Sequence, residues 1–320
     1  MNCGHKEVRK STLIGFSIIT PTFGSSPVEG EELRRKAFSG EMPVHGVPAS
    51  GLVDAHIHIR DVKGLETVVA AGVVAVRDAG LHRNTEQGAV DQRRREDRPV
   101  VISSRWAIYK KGGYGSLIGL PVETRNEMRN EIITLKRAGA DIIKVMASGI
   151  VSFKDQGAVT PGGFSGDELL FIVDEARSIG LDVMAHANGE PAIIASTEAG
   201  VRSVEHGYFM TERALELMAE KGVFWVPTIG ALARAAGARG ISTDTQHYVE
   251  SVILAHLETV RRAHQSGVPL AIGTDCVVPD ARYSEAYVAE LEYLTKAGIP
   301  RDDVMKIARE GGAGLLGISG

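Results

Sequence analysis

The sequence is poor in cysteine and in long apolar runs, and each shortage excludes a class of protein. Cys3 and Cys276 are the only cysteines among 320 residues, which excludes a disulfide-rich scaffold and favours a reducing, cytoplasmic compartment. No run approaches the roughly 20 apolar residues that a membrane-spanning helix requires. The apolar stretch at 13–19 follows basic residues and faintly resembles a secretory signal, but Pro21 interrupts it, so export is the less favoured alternative.

Positive charge is not in excess either. The 36 basic residues face 40 acidic ones, which gives a net charge of -4. A chain without a basic surplus lacks the electrostatic signature of a nucleic-acid or anionic-membrane partner. Aromatic residues make up only 5% of the chain, whereas glycine is abundant at 37 residues, a pattern that suits many tight turns. We therefore expect a globular protein that acts on a small molecule, and the sequence leaves a homo-oligomer open.

From Gly51 onward the chain repeats one unit: a short β-branched apolar run, a loop, and a segment with 3.6-residue periodicity. The predicted strands lie near 52–58, 73–77, 100–105, 141–146, 181–186, 201–206, 223–227 and 269–275, and the predicted helices near 63–71, 85–95, 123–138, 166–179, 190–199, 211–221, 244–266 and 284–297. Alternating β and α elements imply a parallel sheet, and eight units in about 250 residues predict a (β/α)8 TIM barrel. A doubly wound open sheet is the alternative. Residues 50–320 would form the barrel, after an N-terminal extension at 1–49 that is irregular or holds residual β-strands.

Potential metal ligands stand where the predicted strands end. His56 and His58 lie one pleat apart, so their side chains point to the same face. Later apolar runs end at Lys144, His186, His206 and Asp275. In a parallel barrel the carboxyl ends of all strands open onto one face, where the active sites of such barrels lie. We therefore expect these six side chains to converge, and imidazole with carboxylate ligands suits zinc.

Lys144 is the unusual member of this set. A plain ammonium, whose ordinary pKa is about 10.4, would repel two dications at neutral pH. Addition of carbon dioxide to the amine produces a carbamate, an anion whose two oxygens can bridge a pair of metals. Lys144 would therefore be either a carbamate bridge or a cation that holds the substrate, and a lysine at the rim of the barrel is the simpler alternative.

Seven short motifs follow one another along the chain: GLVDAHIH at 51–58, VRDAG at 76–80, IKVMASG at 143–149, AHA at 185–187, VEHG at 204–207, VPT at 226–228 and GTD at 273–275. In order and spacing they resemble the amidohydrolase superfamily, in particular its branch of metal-dependent prolidases, ochratoxin-type amidases and imidazolonepropionase-like hydrolases. The resemblance covers about residues 48–317. It implies that one zinc is bound by His56, His58 and Asp275 and a second by His186 and His206. Carboxylated Lys144 and a hydroxide would bridge the two metals.

The function implied by the resemblance is hydrolysis of an amide C–N bond by the bridging hydroxide. The substrate would be an Xaa-Pro-like dipeptide or an N-acyl amino acid, with Asp275 acting as base and then as acid. A lactonase or phosphotriesterase using the same metal pair is the alternative. Lys144 disfavours a mononuclear hydrolytic deaminase, and six intact ligand positions disfavour a non-catalytic metal-bound barrel.

The chain also departs from the family pattern. We expect the usual flanking β-sandwich to be largely missing. Tyr114 stands where prolidase-like relatives often carry a histidine, in a Gly-rich stretch at 106–121 that we interpret as a mobile lid. The candidate substrate contacts are Tyr114, Lys110 and Lys111 for a carboxylate and Tyr208 for the carbonyl oxygen, although the lysine pair equally suits a solvated loop. Three further histidines, His247, His256 and His264, fall on one predicted helix, and we expect them on its solvent side.

Overall fold

The computed structural model describes residues 51–61, 63–81 and 98–318. The predicted N-terminal extension at 1–49 and the predicted helix near 85–95 lie outside these residues, so the proposed domain boundary stays a prediction. No helix in the described ranges combines the length and the apolar character needed to cross a bilayer.

The described chain alternates strands and helices as predicted. The strands are β1 (Leu52–Ile59), β2 (Val73–Asp78), β3 (Val100–Ser103), β4 (Ala107–Lys110), β5 (Gly119–Val122), β6 (Ile142–Met146), β7 (Asp182–Ala187), β8 (Ser203–His206), β9 (Phe224–Val226) and β10 (Cys276–Val278). The α-helices are α1 (Gly64–Ala70), α2 (Arg125–Arg137), α3 (Gly166–Ser178), α4 (Glu190–Ala199), α5 (Glu212–Lys221), α6 (Ile229–Ala236), α7 (Thr243–Gln265), α8 (Tyr283–Lys296), α9 (Arg301–Lys306) and α10 (Gly312–Leu316). A π-helical segment, Ile307–Gly311, joins α9 to α10. Ser165 and Glu168 form a capping box at the start of α3.

The strands form two parallel sheets, ordered β10-β1-β2-β3 and β5-β4-β6-β7-β8-β9. Backbone hydrogen bonds join them on both sides. The segment 269–275 lies between β9 and β1, where Ala271 N donates to Trp225 O at 3.1 Å and Ala55 N donates to Ile272 O at 2.7 Å. On the other side, Asp141 N donates to Ser103 O at 2.8 Å. The fold is therefore the predicted TIM barrel, with β3 and β4 sharing one strand position.

Apolar residues fill the layer between the strands and the outer helices. Strand residues such as Ile57 and Val145 belong to the same buried cluster as Leu135 of α2 and Ile172 of α3. The last helix, α10, packs against the beginning of β1. A Cβ atom at Gly312 would lie 2.5 Å from the Val53 side chain, so only glycine allows this approach.

The structure corrects the sequence prediction at four places. The stretch interpreted as a lid contains β4 and β5, and Trp106 and Ile108 within it are fully buried. Helix α6 was not predicted. The eighth strand position is irregular over 269–275 and forms a regular strand only in β10. His256 was expected on the solvent side of its helix, but it is buried.

Candidate metal centre

The strand ends bring the predicted ligands together. Candidate ligand atoms of His56, His206 and Asp275 all lie within 4.8 Å of one another. His58 joins them, because its Nε2 atom lies 3.1 Å from Asp275 Oδ1. The His186 ring centroid lies 4.5 Å from that of His206. Four imidazoles and one carboxylate from β1, β7, β8 and the end of segment 269–275 thus form one cluster.

The two histidines of β1 have their ring nitrogens assigned by their neighbours. His56 Nδ1 lies 2.7 Å from the Glu205 carboxylate, and His58 Nδ1 lies 2.5 Å from the Gly80 carbonyl oxygen. A carboxylate and a carbonyl can only accept, so Nδ1 is the protonated nitrogen in both rings. Each Nε2 atom therefore faces the centre, where Asp275 Oδ1 lies 3.1 Å from His58 Nε2 and 3.5 Å from His56 Nε2.

In His186 the other ring nitrogen, Nε2, has the outer partner. Its Nε2 atom lies 2.9 Å from the Gly149 carbonyl oxygen, so Nε2 is protonated and Nδ1 keeps the lone pair. The side-chain amide of Asn188 donates to the same carbonyl oxygen at 3.1 Å and lies 3.2 Å from His186 Nε2. His206 Nδ1 lies 2.6 Å from Thr228 Oγ1, a hydroxyl that can donate or accept. Thus three of the four imidazoles have one ring nitrogen fixed as a donor, and the tautomer of His206 is adjustable.

Lys144 lies in the middle of β6 and is fully buried. Its Nζ atom has no hydrogen-bond partner among the described residues. Burial lowers the pKa of Lys144 to about 8, although the nearby carboxylates of Glu205 and Asp275 act in the opposite direction. A buried amine without a partner is costly, because an unsatisfied polar group loses its hydration with nothing in return.

A buried ion pair lies beside the histidines. Arg77 Nη2 donates to Glu205 Oε1 at 2.8 Å, and both side chains are at most 1% exposed. Arg77 also donates to Ser203 Oγ and to the Ala55 carbonyl oxygen, so each of its three guanidinium nitrogens has an acceptor. Burial raises the pKa of Glu205, but Arg77 and His56 outweigh it and hold the pKa at about 2. Glu205 is therefore an anion that fixes His56 and balances Arg77.

Asp275 is an ionised carboxylate in this setting. Burial would raise its pKa, but His56, His58 and His206 together hold it well below the usual range. Thr274, the preceding residue, is held by Asp54. It donates to the Asp54 carboxylate through its backbone N–H at 3.0 Å and through its hydroxyl at 2.7 Å. The Asp275 side chain is thus presented at a fixed point of the barrel mouth.

Three residues of the centre adopt a left-handed backbone. His206 has φ 67°, Thr228 has φ 47° and Asp275 has φ 52°. This region is unfavourable for residues with a Cβ atom, and such strain concentrates at functional sites. Each of the three residues follows or ends a strand position at the mouth, and the left-handed turn directs the chain into the following loop.

Of the two candidate tyrosines, Tyr114 lies beside a predicted ligand. The Tyr114 ring centroid is 5.4 Å from that of His186. Tyr208 is buried, and its hydroxyl donates to the Thr228 carbonyl oxygen at 3.4 Å, which is a long hydrogen bond. Burial raises the pKa of both phenols, so both are protonated donors at neutral pH.

The two candidate lysines contact carboxylates elsewhere. Lys110 pairs with Glu168 and donates to the Glu123 carbonyl oxygen at 3.1 Å. Lys111 is largely exposed and lies 2.8 Å from the Glu123 carboxylate. Because both positive charges already have carboxylate partners, these contacts do not support the prediction that the lysines hold a substrate carboxylate.

Sequence reasoning gave no role to the residues that orient the ligands. Arg77 and Glu205 stand inside the VRDAG and VEHG segments, so their position within these motifs was the available signal. Thr228 likewise belongs to the VPT segment. Asn188 follows the AHA segment directly, and nothing in the sequence distinguishes it from an ordinary loop residue.

Comparison with known proteins gives a consistent result. The model of the amidohydrolase family matches residues 49–320. Ochratoxinase of Aspergillus niger is 30% identical over 204 residues, 55% of this chain and 42% of the ochratoxinase chain. The chain therefore spans less than half the length of that relative. An uncharacterized protein of Mycobacterium tuberculosis is 26% identical over 278 residues, 82% of this chain and 71% of its own length.

A solved structure extends the comparison to the fold. The structure of a prolidase in complex with N-methylphosphonate-L-proline is 25% identical, with a TM-score of 0.71 over 84% of this chain and 75% of its own. The family model covers most of the chain and includes every residue of the candidate metal centre. The chain belongs to the amidohydrolase family.

Proposed function

We propose that the protein is a metal-dependent hydrolase of amide C–N bonds, acting on a small substrate whose amine product carries a carboxylate. The observation that supports this most strongly is the convergence of four imidazoles and one ionised carboxylate near the unpartnered amine of Lys144. We take an Xaa-Pro-like dipeptide or an N-acyl amino acid as the substrate class. The chain is similar to an ochratoxinase and to a prolidase solved with a phosphonate derivative of proline, and both similarities favour this class.

The donor set fits a pair of divalent metals, with zinc as the proposed ion. His56, His58 and Asp275 would hold one metal, and His186 and His206 the other. One nitrogen of His56, His58 and His186 already contacts an outer oxygen, which leaves the other nitrogen of each ring to bind metal, as expected for metal-ligating histidines. Bound there, the metals supply Lewis acidity, which polarises a carbonyl and lowers the pKa of water.

Lys144 fits the proposed carbamate. Only the neutral amine reacts with carbon dioxide, and a pKa of about 8 leaves roughly a tenth of the side chain neutral at pH 7. The Nζ atom has no competing hydrogen-bond partner in the described part of the chain. A carbamate would replace the unsatisfied amine with an anion near His56 and His186, which explains a lysine on this strand.

The protein's own side chains would move the proton and orient the substrate. Asp275 is ionised at neutral pH, so it can accept a proton at a carboxylate oxygen and deliver it to the leaving nitrogen. Tyr114 lies over His186 and is a protonated donor. Tyr208 holds only a long hydrogen bond to Thr228, which a substrate carbonyl can replace. A cytoplasmic location and a homo-oligomeric state stay predictions.

The test is a substrate panel with zinc-loaded protein and an Asp275→Asn variant. We expect two metal equivalents by elemental analysis and turnover of Xaa-Pro dipeptides or N-acyl amino acids. Asp275→Asn should retain metal while kcat falls at least about 100-fold, because proton transfer typically contributes 10²–10⁴-fold. Asp174→Asn, at an exposed position on α3, is the matched control and should leave turnover unchanged.

Four results would contradict the proposal. Full activity in Asp275→Asn would remove its proton-transfer role. Cleavage of lactones or phosphotriesters but not of amides would favour the alternative hydrolases, and a single metal equivalent would favour a deaminase. Complete metal loading without turnover on any of these substrates would indicate a binding protein.

A further inference from the structure

His256 is a buried histidine that the proposed reaction does not use. It lies on α7, in a stripe of buried residues at Val249, Val252, His256, Val260 and Ala263. Only 3% of the His256 surface is exposed. A polar ring on the inner face of an otherwise apolar stripe requires a specific partner, because burying an imidazole without one is unfavourable.

The partners of His256 are aromatic rings and one backbone carbonyl. Its ring stacks on Tyr208 with centroids 4.3 Å apart and an angle of 28° between the planes. The Trp225 ring packs edge-on at 5.2 Å. His256 also hydrogen-bonds the Pro227 carbonyl, and because Nε2 has no partner in the described residues, Nδ1 is the donor. Burial lowers the pKa of His256 to about 4, so the ring is neutral at pH 7.

These contacts connect α7 to the end of β9 and to the loop after β8. Tyr208 follows His206 by two residues, and Trp225 Nε1 donates to the His206 carbonyl oxygen at 3.0 Å. Pro227 precedes Thr228, whose hydroxyl contacts His206 and whose carbonyl accepts from Tyr208. The His256 side chain therefore contacts the Tyr208 ring with one face, and the edge of its imidazole hydrogen-bonds the backbone beside Thr228.

We propose that His256 is a positioning residue that holds the Tyr208 hydroxyl at the rim of the metal centre by stacking on its ring. The Nδ1 hydrogen bond to Pro227 sets the plane of the imidazole, and the imidazole sets the plane of the phenol. An aliphatic residue would fill the same space without offering a flat face. The kinetic consequence depends on the proposed function, whereas the ring contact does not.

The test is a double-mutant cycle between His256 and Tyr208, measured as kcat and KM on an Xaa-Pro or N-acyl amino acid substrate. His256→Asn removes the ring and should lower kcat about tenfold with little change in KM, because an aromatic pair contributes at this level. His256→Phe keeps a flat face and should stay within about threefold of the original kcat. In a Tyr208→Phe background, His256→Asn should have no further effect on kcat, because the hydroxyl that it positions is already absent.

Matched controls separate positioning from a general loss of structure. His247→Asn, at an exposed position on the same helix, should change neither kcat nor KM. The proposal is overturned if the two losses multiply in the double variant, or if His256→Phe loses as much kcat as His256→Asn. Retention of both metal equivalents in every variant excludes an effect through the ligands.

A second readout keeps the inference testable if no amide is cleaved. Stacking places the Tyr208 ring protons in the ring current of His256, so their NMR shifts should change in His256→Asn and not in His247→Asn. Unchanged Tyr208 shifts would overturn the inference. Absence of amide turnover in the unmodified protein would instead contradict the proposed function and leave the shift experiment valid.

Discussion

The two sides of the metal centre hold their histidines with different kinds of partner. On the β1 side, His56 is held by the buried carboxylate of Glu205, which is itself paired with Arg77. On the β8 side, His206 is held by the hydroxyl of Thr228, a residue in a left-handed conformation at the end of β9. A charge-assisted hydrogen bond is about twice as strong as a neutral one. The His56 ring is therefore held more strongly by its outer partner than the His206 ring is.

The largest expected effect comes from removing the charge on the β1 side. Glu205→Gln keeps the shape of the side chain but leaves the buried Arg77 cation without its partner. Breaking a buried pair in this way destabilises by about 3–5 kcal/mol, which urea unfolding of the metal-free protein would measure. Glu175→Gln, which breaks the surface pair with Arg129, is the control and should leave the urea midpoint unchanged. Equal effects of the two variants would erase the distinction between fixed and exposed pairs.

A smaller effect is expected on the β8 side. Thr228→Val removes the hydroxyl beside His206 Nδ1 but keeps the branched shape. We expect about tenfold weaker zinc binding, the lower end of the range for partners of metal ligands, measured by competition with a chelator. Thr228→Ser retains the hydroxyl and should bind zinc normally. Unchanged affinity in Thr228→Val would mean that His206 is oriented by packing alone.

The pH dependence of stability should identify His256 as a buried neutral ring. Its pKa is lowered from 6.5 to about 4, so its contribution to stability is complete above pH 6.5 and is lost as the pH falls from there toward 4. His256→Phe cannot take up this proton, so acidification from pH 7 to 5 should destabilise the original protein by about 2 kcal/mol more than the variant. Parallel urea titrations of the two proteins would measure the difference. Parallel losses would show that His256 is protonated in the folded state.

The smallest effect is expected far from either side of the centre. Lys111→Gln breaks only an exposed pair with Glu123, so KM and kcat for a carboxylate-bearing substrate should not change. A large rise in KM for this variant would restore the original prediction that Lys111 holds the substrate carboxylate. Lys136→Gln, on the exposed face of α2, serves as the control for a general change in surface charge.

The barrel and the ligand positions were predictable because they depend on local patterns. A histidine that ends an apolar run lies at the mouth of any parallel barrel, so His186 and His206 followed from periodicity and strand count. The partners of those ligands were not predictable in this way. Glu205 lies 149 residues from His56 in the chain, and only the folded barrel shows that the two side chains meet.

His256 was wrongly placed although its signal was present. Its neighbours at 249, 252, 260 and 263 are apolar and follow helical spacing, so the stripe includes position 256. The error came from treating a histidine as a surface residue by type rather than by its position on the helix. The β4 and β5 strands were missed for a related reason, since the glycines at 112, 113, 115 and 119 suggested a loop. Gly119 in fact lets β5 approach β4, where a Cβ atom would lie 2.3 Å from the Ala107 carbonyl oxygen.

The left-handed backbone at His206, Thr228 and Asp275 has a consequence for how this protein would respond to selection. Glycine adopts such a conformation without strain, whereas each residue with a side chain is disfavoured there by about 1 kcal/mol. Under selection for thermal stability alone, these three residues should be replaced by glycine or asparagine, and catalytic activity should be lost. At the barrel mouth, selection for thermal stability and selection for catalytic activity would thus favour different residues.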